Sequence, residues 1–216
     1  MASSRVSPQA SDDEARALLA RYACPIPFHA VRTRFLGNIA TPSMTASPVR
    51  VLESLWGGEL PVFDSQDDVN ELMRVLVMGV WNRLSQHQER SSPFRLTRLD
   101  TPPSREGVVA LARTRLEELN GFFDGFFADQ ESLDLPERAH RGVHILGDLR
   151  GIYAAIVELL ADQSKPAPES AIEVTVRQIR DTTRIAEHEM HEIVLACKRA
   201  RRQVLATLHA QRPTLH

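Results

Sequence analysis

Between Ile172 and Val204 the chain repeats one spacing without a slip. Ile172, Val176, Ile179, Thr183, Ala186, Met190, Ile193, Cys197, Ala200 and Val204 follow at alternating intervals of four and three residues. Only a helix places such a row on one side, and a row that regular is a coiled-coil-like seam that must be covered by a partner surface. Glu187, Glu189 and Glu192 precede Lys198, Arg199, Arg201 and Arg202, an order that suits the helix macrodipole. The segment 164–216 is therefore expected to be one long helix with a short tail. The covering surface is either the chain's own bundle or a second copy, which makes a homodimer the expectation.

The rest of the chain is helical by the same reasoning. No stretch alternates apolar and polar residues as a half-buried strand would, so the expected class is all-α: a multi-helix bundle of two helical halves with a long C-terminal helix. Asp12 and Asp13 suit the start of a first helix that runs to Tyr22 and is stopped by Pro25 and Pro27. A second spans Phe28–Ile39, and a third begins with Pro48 after Ser47. Ser65 with Asp68 opens a longer one carrying Val69, Leu72, Met73, Leu76, Val80, Trp81 and Leu84 at helical spacing. Residues 89–103, rich in Pro, Ser and Arg, read as a linker between halves 12–88 and 104–163. Two further helices follow it, one capped by Ser104 and one started near Asp134–Pro136. Residues 1–11 read as a disordered tail without the apolar core of a signal peptide.

Composition narrows the function classes. A net charge of −2 lacks the basic excess of a dedicated nucleic-acid binder. Cys24 and Cys197 stand alone, outside any zinc-type spacing, and read as free thiols of a cytoplasmic protein. No apolar run is long enough to span a bilayer, so no membrane association is expected. No phosphate-loop or dinucleotide fingerprint is present, and no cofactor is expected.

Several blocks together resemble the YecA/YgfB-like family of bacterial proteins. They are Phe35-Leu36-Gly37-Asn38-Ile39 with Pro42, then Leu55-Trp56-Gly57-Gly58-Glu59 with Pro61 and Phe63. Leu72-Met73 and Trp81-Asn82 follow, and after the linker comes Asn120-Gly121-Phe122-Phe123-Asp124-Gly125-Phe126. The similarity covers residues 12–162. It departs from the family at Arg34-Phe35-Leu36, where the family's first motif begins Gly-Phe-Leu. The resemblance implies an all-helical, cytosolic and often dimeric protein without an assigned activity. The family's Cys-rich metal-binding tail is replaced here by the heptad helix, so no metal site is carried over.

Candidate chemistry is sparse. Glu187-His188-Glu189-Met190-His191-Glu192 is the one His/carboxylate cluster, reading HExxE where a zincin needs HExxH. Pairs one turn apart, His188 with Glu192 and Glu187 with His191, make these four the candidate metal ligands, although the heptad phase puts both histidines on outer, solvated faces. Gly57 or Gly58 is expected to end the third helix in a left-handed conformation, with Trp56 and Phe63 plugging the core. Gly121 and Gly125, four apart, are expected to admit a closely packed neighbouring helix. Phe122, Phe123, Phe126 and Phe127 surround their helix widely enough to suggest an exposed patch, and with Met190 and Ile193 they are the candidate protein-interaction residues. Lys198 to Arg202, with Arg90, Arg95, Arg98 and Arg105, could meet phosphates. No catalytic constellation is legible. The expected function is a non-enzymatic interaction or regulatory module that self-associates, with a metal-binding protein or metal-dependent hydrolase and a weak nucleic-acid binder as alternatives.

Overall fold

Serine hydroxyls start the helices. In the computed structural model, which describes residues 10–43, 46–128, 130, 132–162 and 168–210, the Ser11 side chain accepts from the Glu14 amide and opens α1 (Asp12–Arg21). Ser47 caps α3 (Pro48–Glu53), Ser65 caps α4 (Gln66–Leu72) and Ser104 caps α6 (Arg105–Phe127) in the same way. Each satisfies an amide that the first turn leaves without a partner. Proline starts others: Pro27 precedes α2 (Phe28–Ala40), and Pro136 precedes α7 (Glu137–Ala161). Helix α8 runs Glu169–Ala210. No strand occurs among the described residues, and the protein is all-α. Most of the N-terminal tail expected at 1–11, and all but Pro168 of the break that the sequence places at Ser164–Pro168 before the last helix, lie outside the described residues.

The helix after Ser65 departs from the simple expectation. Its centre, Met73–Trp81, is wound as a π-helix, and α5 (Asn82–Ser85) returns to α geometry. Four residues over-rotate an α turn and under-rotate a π turn, so the change of winding keeps Leu72, Leu76, Val80 and Leu84 in one buried row. Before it, α3 tightens into a 3-10 turn, Ser54–Trp56, and Gly57 ends it at φ 85. Gly58 continues at φ 111, a region that only glycine enters freely. Trp56 is half-buried rather than a full plug, and its indole nitrogen donates to the Tyr22 carbonyl at 2.8 Å.

One core joins everything. Helix α2 crosses α6 with backbone against backbone. A Cβ on Gly37 would stand 2.7 Å from the Phe126 amide nitrogen, one on Gly121 would be 2.7 Å from Thr33 Oγ1, and one on Gly125 would overlap the Arg34 carbonyl. Helix α7 packs on α6, and α8 returns along α7. The seam of α8 is buried from Ile172 to Cys197, with Thr183 partly covered, so it packs within the chain over that length.

Residues 89–103 form no helix and lie as a strap over α2, α6 and α8. Phe94 and Leu96 are buried beneath it. The Thr97 amide donates to Glu118 at 2.7 Å, and Arg115 donates to the Thr97 carbonyl at 2.7 Å and to Thr183 at 3.0 Å. Arg115 and Glu118 are themselves a buried ion pair, whose charges these extra bonds satisfy.

The glycine crossing makes a sharp contrast with open glycines. Gly125→Ala should destabilise the fold by about 1–3 kcal/mol or more through overpacking. Gly147→Ala, where a Cβ meets nothing within 4 Å, should gain up to ~1 kcal/mol in helix propensity. Urea unfolding of both variants checks this.

Candidate functional site

The His/carboxylate cluster of α8 does not converge. Glu187 turns to the strap, where it accepts from the Leu96 amide at 3.0 Å and from Arg95 at 2.7 Å. Glu189 is bonded to Arg138 of α7 at 2.6 Å, and Glu192 lies 3.6 Å from the same guanidinium. His188 is exposed on the outer face. Among the described residues no group of three or more His, Cys, Asp or Glu could hold a metal ion.

His191 departs from the sequence expectation. It is buried at 7% exposure, because residues 86–94 cover a flank of α8 that heptad phase alone leaves open. Among the described residues neither ring nitrogen has a partner in full hydrogen-bond geometry, although the Arg90 backbone lies close by. Burial lowers its pKa below 6.5, and the opposing influences of the Arg90 backbone and Glu192 do not outweigh it; nearby His188 and Arg90 push the same way as burial. Beside it His87, whose Nδ1 lies 2.8 Å from the Ser92 carbonyl, is also lowered by burial.

The phenylalanine cluster is consumed by the core. Phe122 and Phe126 are fully buried, because α2 and α7 cover two sides of α6. Phe123 and Phe127 are half-buried and stacked on each other at 6.1 Å, and Arg150 caps the Phe123 ring at 5.3 Å. Met190 and Ile193 are fully buried as well. The exposed patch expected at these residues is thus absent, and none of Phe122, Phe126, Met190 or Ile193 can meet a partner directly.

The basic end of α8 is half internal. Lys198 donates to the Gln88 carbonyl at 2.9 Å and pairs with Glu89 at 2.6 Å. Arg201 donates to the Ile39 and Thr41 carbonyls at 2.8 and 2.9 Å, closing the C-terminal end of α2. Arg199 and Arg202 remain exposed. Cys197 is buried, and burial pushes its thiol up to about 12.

Two concavities stand out among the described residues. A cleft of about 540 Å³ lies between α2, α3 and the end of α6, with Arg34, Arg50, Glu53 and Asp124 among its lining. Ala128 on its wall holds φ 48, ψ −125, which side chains other than glycine rarely adopt. The Arg34–Asp124 pair and the balance of Arg50 with Glu53 give the cleft no net sign for a charged ligand. A second cavity of about 400 Å³ brings Cys24 and His29 together, a juxtaposition their separate sequence contexts hide. His29 is held by Glu117 at 2.7 Å, but Cys24 faces the Ile26 and Leu55 carbonyls and burial raises its pKa, which keeps it a thiol.

What stays uncovered is apolar. On the last turns of α8, Val204, Leu205 and Leu208 are 50%, 39% and 55% exposed. On the outer side of α7, Ile145, Ile152 and Leu159 are 37%, 47% and 58% exposed. Val204 is the last residue of the heptad row read from the sequence, and Leu205 and Leu208 extend it; the α7 group lies at seven-residue spacing that the core-facing row of α7 obscures. Among the described residues no helix is long and apolar enough to cross a membrane. Comparisons with protein-family models, curated proteins and solved structures find no match to the chain.

His191 yields a signed prediction. Its folded pKa is depressed, so the folded ring takes a proton less readily than the unfolded one. Stability is then full above pH 6.5 and is lost as pH falls through 6.5 towards the lower folded value. Thermal melts of His191→Leu between neutral and mildly acidic pH should show a flatter loss than the parent, the residual slope including His87.

Proposed function

We propose that this chain is a non-enzymatic, regulatory protein-interaction module, related to the YecA/YgfB-like proteins, that self-associates and docks a protein partner on the end of α8. One observation carries the reading: the apolar seam of α8 outruns the bundle. Up to Cys197 it is buried against the chain's own helices, and beyond Arg201 the same side continues through Val204, Leu205 and Leu208 in the open. Apolar side chains grouped on a helix with Arg199 and Arg202 beside them fit an amphipathic partner segment with acidic flanks. The kinship rests on the blocks that carry the resemblance, two of which meet in space. Phe35–Ile39 and Asn120–Phe126 are the stretches that meet at the glycine crossing of α2 and α6, which gives a physical reason for them to occur together.

The expected result of a tagged full-chain pull-down is a partner retained by the parent and lost by the Val204→Glu/Leu208→Glu double variant. Both changes lie on exposed positions, so circular dichroism and melting temperature should be unaltered. Retention of the same proteins by the double variant would refute the α8 end as the docking element.

A further inference from the structure

The uncovered side of α7 has a symmetry that a monomer does not need. Ile145, Ile152 and Leu159 stand seven apart along one edge. Beside them runs a second row: His144, Gly147, Gly151, Ala155 and Glu158 at spacings of three, four, four and three. Among the described residues no other element lies within 4 Å of a Cβ placed on Gly147 or Gly151, so these two glycines, unlike Gly121 and Gly125, admit no described helix of their own bundle. Each weakens α7 by about 1 kcal/mol relative to alanine without an intramolecular return.

Both rows read the same from either end, with their centres at Gly151 and Ile152. Rotating a second α7 about a two-fold axis there lays it antiparallel on the first. Ile152 then meets Ile152 of the other copy, Ile145 meets Leu159, and Gly147 meets Ala155. The charges obey the same rule. His140 and His144 lie on the N-terminal half of this face, where Arg141 is paired with Glu137 at 3.8 Å, and Glu158 lies on the C-terminal half. The rotation sets His144 against Glu158 twice. Asp148 falls opposite Ala155 and meets no carboxylate. A parallel pairing, or a partner of arbitrary sequence, would draw no benefit from this arrangement.

We infer that the outer face of α7, centred on Gly151 and Ile152, is an isologous interface for a second copy of this chain. The apolar edge supplies the contact, the small residues let the two helices approach, and the charge order fixes the antiparallel register. This inference rests on the self-association in the function proposed above and gives it a location, separate from the partner-binding end of α8.

Sedimentation or light scattering of the full chain at micromolar concentration tests it. The parent should be a dimer, and Ile152→Glu a monomer with unchanged circular dichroism and melting temperature. His144→Glu, which sets carboxylate against carboxylate at two symmetric places, should weaken dimerisation about tenfold or more. Adding Glu158→Lys should restore it, a reciprocal rescue that a purely structural role for either residue would not give. A parent that stays monomeric overturns the inference. So does a dimer that survives Ile152→Glu, or one that dissociates with Val204→Glu/Leu208→Glu instead. The two proposals fail distinguishably: a dimer that survives Ile152→Glu removes the α7 interface while self-association stands, whereas a monomeric parent removes self-association and the interface together.

Discussion

The contact between α2 and α6 governs the architecture. Side chains set most helix separations, but at Gly37, Gly121 and Gly125 the two backbones touch, with carbonyl and amide groups where a methyl would otherwise stand. Dispersion forces fall steeply with distance, so such a crossing gains contacts that bulkier residues would hold apart. It also fixes where everything else goes. With α2 seated on its glycine face, α6 turns Phe122 and Phe126 inward and leaves its other flank to α7, which in turn offers the trough that α8 fills. Glycine is a poor helix former, and its presence three times in this one crossing marks tertiary packing overriding local propensity.

The strap makes the second constraint electrostatic. Extended backbone crossing a helical bundle cannot form a ladder, so its amides and carbonyls need side chains. Glu118, Arg115, Glu187 and Arg32 provide them from three different helices. Four of the charges that composition presents as a solvated surface are thereby committed to holding one loop. This is why a cluster that looks like a ligand set in one dimension separates in three: Glu187 answers the strap, while Glu189 and Glu192 answer Arg138 of α7.

Much of the fold was legible in the sequence. Capping serines, helix-starting prolines, the left-handed Gly57 and the heptad row each carry a local signature, and all appear where that signature points. The close approach of a helix to Gly121 and Gly125 was also readable, because two glycines in a phenylalanine-rich helix require a packing reason. The burial of His191 was not. Periodicity tells which side of α8 faces a helix, but the strap covers a flank that no period encodes. The π winding of Met73–Trp81 was equally hidden, since a row of apolar residues four apart fits either side of the α–π distinction. Site residues fared worse than elements. The phenylalanines of α6 surround their helix more widely than one core face needs, which points to a surface patch, yet the chain buries Phe122 and Phe126; Met190 and Ile193, seam residues by their spacing, are covered by the chain's own bundle.

Arg201 closes the end of α2 from a position deep in α8. Forty-two residues of continuous helix make α8 a rod roughly 60 Å long, at about 1.5 Å per residue. Its last turns extend past the guanidinium like the free arm of a lever past its pivot. A load applied to that arm bears on two backbone carbonyls of α2 through Arg201 and on the turn at Gln88 and Glu89 through Lys198. A pull at the tip is therefore shared between the end of α2 and the start of the strap.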